Sequence, residues 1–286
     1  MTMRPEDYPA QEPFTTIGAQ YHDEVLRLAE GVEGEDIPLG EDPYRSVAVY
    51  RSAAPSGQVL CLIHGGGWTN GYKEWMAFMA PALTARGVTV VSFGYRLAPR
   101  NVFPAQFDDC ADALAWVHDH IADYGGDPDR IHVGGHSAGG HLASLLALRL
   151  DWQAPRGLPA DVVKSALPIS GTYLFGEGSG LSMRPRFLGD PELANEGPAS
   201  PVSYLRDGAP PFLVAFGTED FPHLVRQAED FAAALSRHGG VVETLPLEGC
   251  NHLGASYASG DPDGVWVRTA LAFIEQSAPS KIGQTG

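Results

Sequence analysis

The chain has 286 residues, 44% of them hydrophobic and 19% charged, enough for one large α/β domain or two small ones. Nineteen basic residues against 35 acidic ones leave a net charge of −16, spread along the chain as a solvated surface. That balance argues against nucleic-acid or anionic-membrane partners, whose binding needs clustered cations, and leaves small neutral or cationic substrates.

Cys61, Cys110 and Cys250 form no close pair and no metal-type spacing, so free thiols are expected, the first two buried. The opening stretch MTMRPEDYPAQEPF lacks an apolar core after its basic residue, so no signal peptide is read. No run approaches the roughly 18 apolar residues of a membrane span. A soluble, cytoplasmic protein is the expectation.

In chain order, residues 1–40 hold one helical pattern, 21–29, before the first strand-like runs at 47–50 and 59–63. A helix is expected over 75–86, closed by Gly87, then a strand at 88–93. Apolar residues at helical spacing (Ala111, Leu114, Ala115, Val117, Ile121) predict a helix over 108–124, ended by Gly125-Gly126. A strand at 131–133 feeds a helix over 142–150. Further strands are read at 166–169, 212–216 and 241–245, with helices over 223–238 and 265–276. Alternation of this kind predicts an α/β fold, a mostly parallel central sheet with helices on both faces. Residues 172–210, rich in Gly, Pro, Ser and Arg, and residues 1–40 interrupt it, and both are expected as lid or substrate-pocket segments of a single domain over 1–286. The tail 278–286 is expected to fray.

Between the strand at 131–133 and the following helix lies Gly134-Gly135-His136-Ser137-Ala138-Gly139-Gly140. A serine on so sharp a strand-to-helix turn needs small neighbours two positions either side, and Gly135 and Gly139 supply them. A serine hydroxyl becomes a useful nucleophile only when a base takes its proton and an acid orients that base. Both follow in order just past strand ends: Asp220 after the strand at 212–216, and His252 after that at 241–245. Asp220 is preferred to its neighbour Glu219, and His252 to the rival His223. His64, His136 and His141 lack ligand spacing and a carboxylate companion, so no metal is expected. After the strand at 59–63, His64-Gly65-Gly66-Gly67-Trp68 can point bare N–H groups into a pocket. With the N–H of Ala138, those of Gly66 and Gly67 would form an oxyanion hole.

HGGGW at 64–68, YRLAP at 95–99, FPAQFDD at 103–109, GGDPDRI at 125–131 and GHSAGGHLA at 135–143 together resemble α/β-hydrolases of the hormone-sensitive-lipase-like esterase group. The resemblance spans residues 45–276 and implies the triad Ser137, Asp220 and His252 and the oxyanion hole Gly66, Gly67 and Ala138, with no cofactor. GHSAGGHLA and the segment NHLGASYASGDPDG at 251–264 look closer to kynurenine formamidase and other arylformamidases. The expected activity is hydrolysis of small acyl or aryl esters through an acyl-enzyme on Ser137. The alternative is arylformamidase action on N-formylkynurenine-type amides, and a third reading is a catalytically silent hydrolase-fold binding protein. Trp68, Phe187 and Tyr204 are candidates to line an aromatic substrate pocket. The edge strand and last helix could make a homodimer.

Overall fold

The computed structural model describes residues 3–183 and 185–277; the tail expected at 278–286 lies outside the described residues. Eight strands form one sheet: β1 (Glu35–Pro38), β2 (Ser46–Tyr50), β3 (Gly57–Ile63), β4 (Thr89–Phe93), β5 (Gly126–His136), β6 (Val163–Ile169), β7 (Phe212–Gly217) and β8 (Val242–Leu247), in the order β1-β2-β4-β3-β5-β6-β7-β8. Strand β2 runs antiparallel to both neighbours, and the remaining pairs are parallel.

The helices are α1 (Thr16–Leu28), α2 (Ala80–Thr84), α3 (Ala105–His120), α4 (Ala138–Leu148), α5 (Glu196–Ala199), α6 (Pro222–Arg237), α7 (His252–Ala258) and α8 (Val265–Ser277). Strands β4 and β7 are buried at every position. A strand with one solvated face would alternate, so this sheet is covered on both faces. Helix α4 packs on β3, β5 and β6 and against α3, while α8 packs against α2 and on β6, β7 and β8. The edges are β1 and β8, where exposed positions return. Among the described residues no helix is long and apolar enough to cross a membrane.

The expected strands and the longer helices are present, with four differences. The helix expected over 75–86 is a 3-10 stretch, Lys73–Met79, followed by the short α2, because Pro81 has no N–H to continue the ladder. Helix α1 starts earlier than expected, where the Thr15 hydroxyl accepts the Gly18 N–H at 3.1 Å. Strand β5 begins at Gly126 rather than at 131, since its turn-like start GDPD pairs with Gly57 across a register shift. Strand β1 and helix α7 are not among the expected elements: Glu35–Pro38 lacks alternation, and α7 has only seven residues, too few to show a helical period.

Residues 172–210 are irregular apart from α5 and two 3-10 turns. Their backbone is held by turn bonds and, at the start of the segment, by side chains. Gln227 on α6 accepts the N–H groups of Tyr173 and Leu174 at 2.8 and 2.9 Å and donates to Ser179 O at 2.7 Å. Tyr173 is fully buried and stacks on Phe231 at 4.1 Å. The segment is therefore tied to α6 at its root, while Met183 and Arg186 further along reach the cavity at Ser137.

Candidate active site

Ser137 sits between β5 and α4 with φ 55° and ψ −117°, a conformation a non-glycine residue rarely adopts. Its N–H donates to Ile169 O at 2.9 Å, tying the turn to the end of β6. The flanking glycines are required by contact: a Cβ on Gly135 would lie 2.4 Å from Ile63 O, and one on Gly139 only 1.9 Å from it. The helix and two strands thus close to backbone distance, and the serine is lifted off the sheet.

His252 is the first residue of α7, whose N-cap Asn251 accepts the Gly254 N–H at 2.9 Å. Its Nε2 lies 3.0 Å from Ser137 Oγ and its Nδ1 2.9 Å from Asp220 Oδ1. The carboxylate is fixed in turn by the Phe221 N–H, which donates to Oδ1 at 2.6 Å. Burial pushes the Asp220 carboxyl up, but the bond and charge of His252, the Ser170 hydroxyl and the Phe221 N–H outweigh it. The group is held below the usual carboxylate range and stays charged. Oδ2 and the Ser170 hydroxyl are both buried without a bond of good geometry among the described residues, yet the hydroxyl stands close enough to favour the charge.

Of the two expectation pairs, the structure brings Asp220 and His252 to Ser137. Glu219 is exposed, its N–H donating to Cys250 O at 2.9 Å. His223 stacks on Phe221 at 5.9 Å, and the bond to Ser137 Oγ comes from His252.

Gly66 and Gly67 line the same cavity as Ser137 and His252, with φ of 104° and 61°. Among the described residues no hydrogen bond takes up the N–H of Gly66, Gly67 or Ala138. Gly66 could not be replaced without moving the loop, since a Cβ there would meet Asn70 O at 2.1 Å. A hydroxyl beside an imidazole that a buried carboxylate orients, facing free N–H donors, can attack a carbonyl and hold the resulting anion.

The cavity measures about 430 Å³. Its walls come largely from Pro13, Ile17 and Tyr21 of the N-terminal segment, Met183 and Arg186 of the 172–210 segment, and Leu253 of α7. Arg186 joins the two segments, its Nη2 3.3 Å from both Glu12 Oε2 and Thr69 Oγ1.

Trp68, Phe187 and Tyr204 are not among the described residues lining this cavity. Trp68 and Phe187 are buried and stacked on each other at 4.3 Å, with Phe175 and His141 beside them. The indole donates to His141 Nδ1 at 3.1 Å, and His141 Nε2 donates to Ala199 O at 2.6 Å. They form a buried aromatic cluster at the end of the glycine loop. Tyr204 donates to Pro198 O at 3.0 Å and lies under the Arg149 guanidinium. The rings of all three meet each other or neighbouring packing groups rather than the walls of the cavity.

Sequence reasoning missed His136 as a site residue, although its place between Gly135 and Ser137 forces it there. Its Nε2 donates to His252 O at 2.9 Å, and its ring lies 4.6 Å from that of His252. Burial lowers its pKa to about 3, with the neighbouring His252 adding to the effect, so it is a neutral prop for α7. Tyr21 was also missed. It is buried, stacks on His136 at 5.7 Å and bonds Ser256 Oγ at 2.8 Å. Met183 and Arg186 sit in a segment without periodicity, and no sequence signal singles them out. No group of three or more candidate metal ligands occurs among the described residues.

A serine, histidine and carboxylate relay at the strand ends of a largely parallel sheet defines a class, the α/β-hydrolases. The chain belongs to the α/β-hydrolase fold family, whose profile matches residues 60–255, and within it to the hormone-sensitive-lipase-like esterases. It is 37% identical over 247 residues to the probable carboxylic ester hydrolase LipM of Mycobacterium tuberculosis, covering 79% of this chain and 57% of that one. It is 37% identical over 210 residues to esterase LipQ of the same organism, covering 68% and 49%. The chain thus spans about half the length of these curated relatives. An esterase structure from Pyrobaculum calidifontis superposes with a TM-score of 0.73 at 27% identity, covering 92% of each chain.

Proposed function

We propose that this protein is a serine carboxylesterase acting on small carboxylic esters. The observation that carries the reading is the relay from Asp220 Oδ1 through His252 to Ser137 Oγ, with bonds of 2.9 and 3.0 Å, opening onto a cavity that Gly66 and Gly67 share. His252 takes the proton of Ser137 as its oxygen attacks the ester carbonyl, and Asp220 holds the imidazole with Nδ1 protonated. The N–H groups of Gly66, Gly67 and Ala138 take the oxyanion. His252 then returns the proton to the leaving alcohol, an acyl-enzyme remains, and water deprotonated by His252 releases the acid. Each step is accounted for by side chains and backbone of this chain.

Residues 1–40 and 172–210 are proposed as the cover of this single catalytic domain, since both supply walls of the cavity. A volume of about 430 Å³ suits short acyl or aryl groups. Free Cys61, Cys110 and Cys250 fit a reducing, cytoplasmic compartment.

The test is kcat/KM measured side by side for p-nitrophenyl acetate, p-nitrophenyl octanoate and N-formylkynurenine, in the wild type and in Ser137→Ala. Acetate is expected to be turned over fastest, and Ser137→Ala to lose essentially all turnover while keeping the native circular dichroism spectrum. A formamide rate above both esters would make the protein an arylformamidase instead. Ester hydrolysis at the wild-type rate in Ser137→Ala would sink the mechanism.

A further inference from the structure

We infer that Gln11, on the N-terminal segment, is a positioning residue that holds the oxyanion loop in shape; this rests on the esterase reading above. Gln11 offers both ends of its amide to one glycine. Its Nε2 donates to Gly71 O at 2.9 Å, and its Oε1 accepts the Gly71 N–H at 2.9 Å. The next residue reinforces the grip, since Glu12 O accepts Asn70 Nδ2 at 2.6 Å.

These two residues control the loop. Asn70 N donates to Gly66 O at 3.0 Å, and Asn70 O packs where a Cβ of Gly66 would stand. Gly71, at φ 115°, leaves no room for a Cβ against the His64 imidazole, 2.3 Å away. The segment from Gly66 to Gly71 has no strand or α-helix of its own to fix it. Two turn bonds close on Gly66 O, from Thr69 N and Asn70 N, Ala98 N holds Trp68 O at 2.8 Å, and the far end at Gly71 is held between His64 and Gln11.

The segment bearing Gln11 is itself anchored. Tyr8 is buried, its hydroxyl accepting from Lys73 Nζ at 2.7 Å and donating to Glu74 at 3.0 Å. Lys73 is fully buried, 2.6 Å from Glu74 and 3.3 Å from Asp36. The Tyr44 hydroxyl then holds Pro9 O at 2.9 Å. A fixed point two residues before Gln11 lets its amide act as a clamp rather than as a mobile side chain.

Gln11 lies outside the catalytic cavity. It lines an adjoining cavity of about 320 Å³ beside Tyr44 and Arg100, which shares Glu12 and Thr69 with the catalytic one. Because it acts through the loop rather than as a cavity wall, its loss should weaken transition-state binding and leave ground-state binding alone.

The experiment compares Gln11→Met, which keeps the length and removes both bonds, with Gln11→Glu, which keeps only the acceptor for Gly71 N–H. Readouts are kcat and KM on p-nitrophenyl acetate and Ki for an alkyl trifluoromethyl ketone, whose adduct on Ser137 places an oxyanion in the hole. In Gln11→Met, kcat should fall about 10- to 100-fold, less than or equal to the loss of a whole oxyanion donor. KM should stay within about twofold, Ki should weaken by the same factor as kcat, and Gln11→Glu should fall between. Unchanged kcat and Ki in Gln11→Met, or a rise in KM alone, would overturn the inference. If Gln11→Met fails to fold, full activity in folded Gln11→Glu would overturn it and a parallel loss of kcat and Ki there would support it. A wild type that hydrolyses no ester and resists a fluorophosphonate would instead bring down the esterase reading beneath it.

Discussion

Moving from about pH 7.5 to about pH 5.5 should cost this protein roughly 5 kcal/mol of folding stability through four buried histidines. Burial is the largest cause in each case: it holds His64, His132 and His136 down to about 3 and His141 to about 4. In the unfolded chain each returns to about 6.5. The folded pKa is depressed, so the stabilisation is complete above the unfolded value and is lost as pH falls towards the folded one. At about pH 5.5 each unfolded imidazole is mostly protonated and each folded one is neutral, a difference of a little over 1 kcal/mol per histidine. The sum is comparable with the whole stability of an ordinary domain, about 5–15 kcal/mol. Glu74 and Asp108 act in the opposite sense, since burial raises both and they take up protons more readily when folded.

The assay is urea denaturation followed by tryptophan fluorescence at both pH values, in the wild type and in His132→Gln. His132 bridges Ser165 Oγ at 2.7 Å and Gln58 Oε1 at 3.0 Å, far from the site. A glutamine keeps polar atoms there and does not titrate, so the pH-dependent loss should shrink by about a quarter. Equal stability of the wild type at the two pH values, or an unchanged loss in His132→Gln, would refute the argument.

Replacing Asp220 with Asn should lower kcat by about 10⁴-fold with the fold intact, because an amide can donate to His252 Nδ1 and select the wrong tautomer; steady-state kinetics and circular dichroism check both halves. Phe187→Ala should cost about 3–5 kcal/mol of stability, as a fully buried ring stacked on Trp68 is lost. Its preference between acetate and octanoate esters should not change, and a shift towards the longer chain would return Phe187 to the substrate pocket.

Local rules made the chemistry of this chain readable. A serine at the turn from β5 to α4 needs glycines because Ile63 O stands where their Cβ atoms would be, so Gly135 and Gly139 appear as a short-range pattern. Ser137, Asp220 and His252 each stand past a strand end, as the alternation of a parallel sheet leads one to look for, and HGGGW offers the N–H donors proposed for the oxyanion. What periodicity cannot carry is which surface a side chain meets. Asp220 and Glu219 are adjacent and alike in chemistry, and only the turn after β7, which buries one and exposes the other, separates them. Trp68 and Phe187 look suited to a pocket, yet they stack on each other and stay outside the cavity lining. The cavity walls come from α1, from the aperiodic 172–210 segment and from the start of α7, so Tyr21, Met183 and Arg186 meet Ser137 only through contacts distant in sequence. Hydrogen bonding and sterics within a few residues wrote the motif into the chain, while long-range packing decided the shape of the pocket.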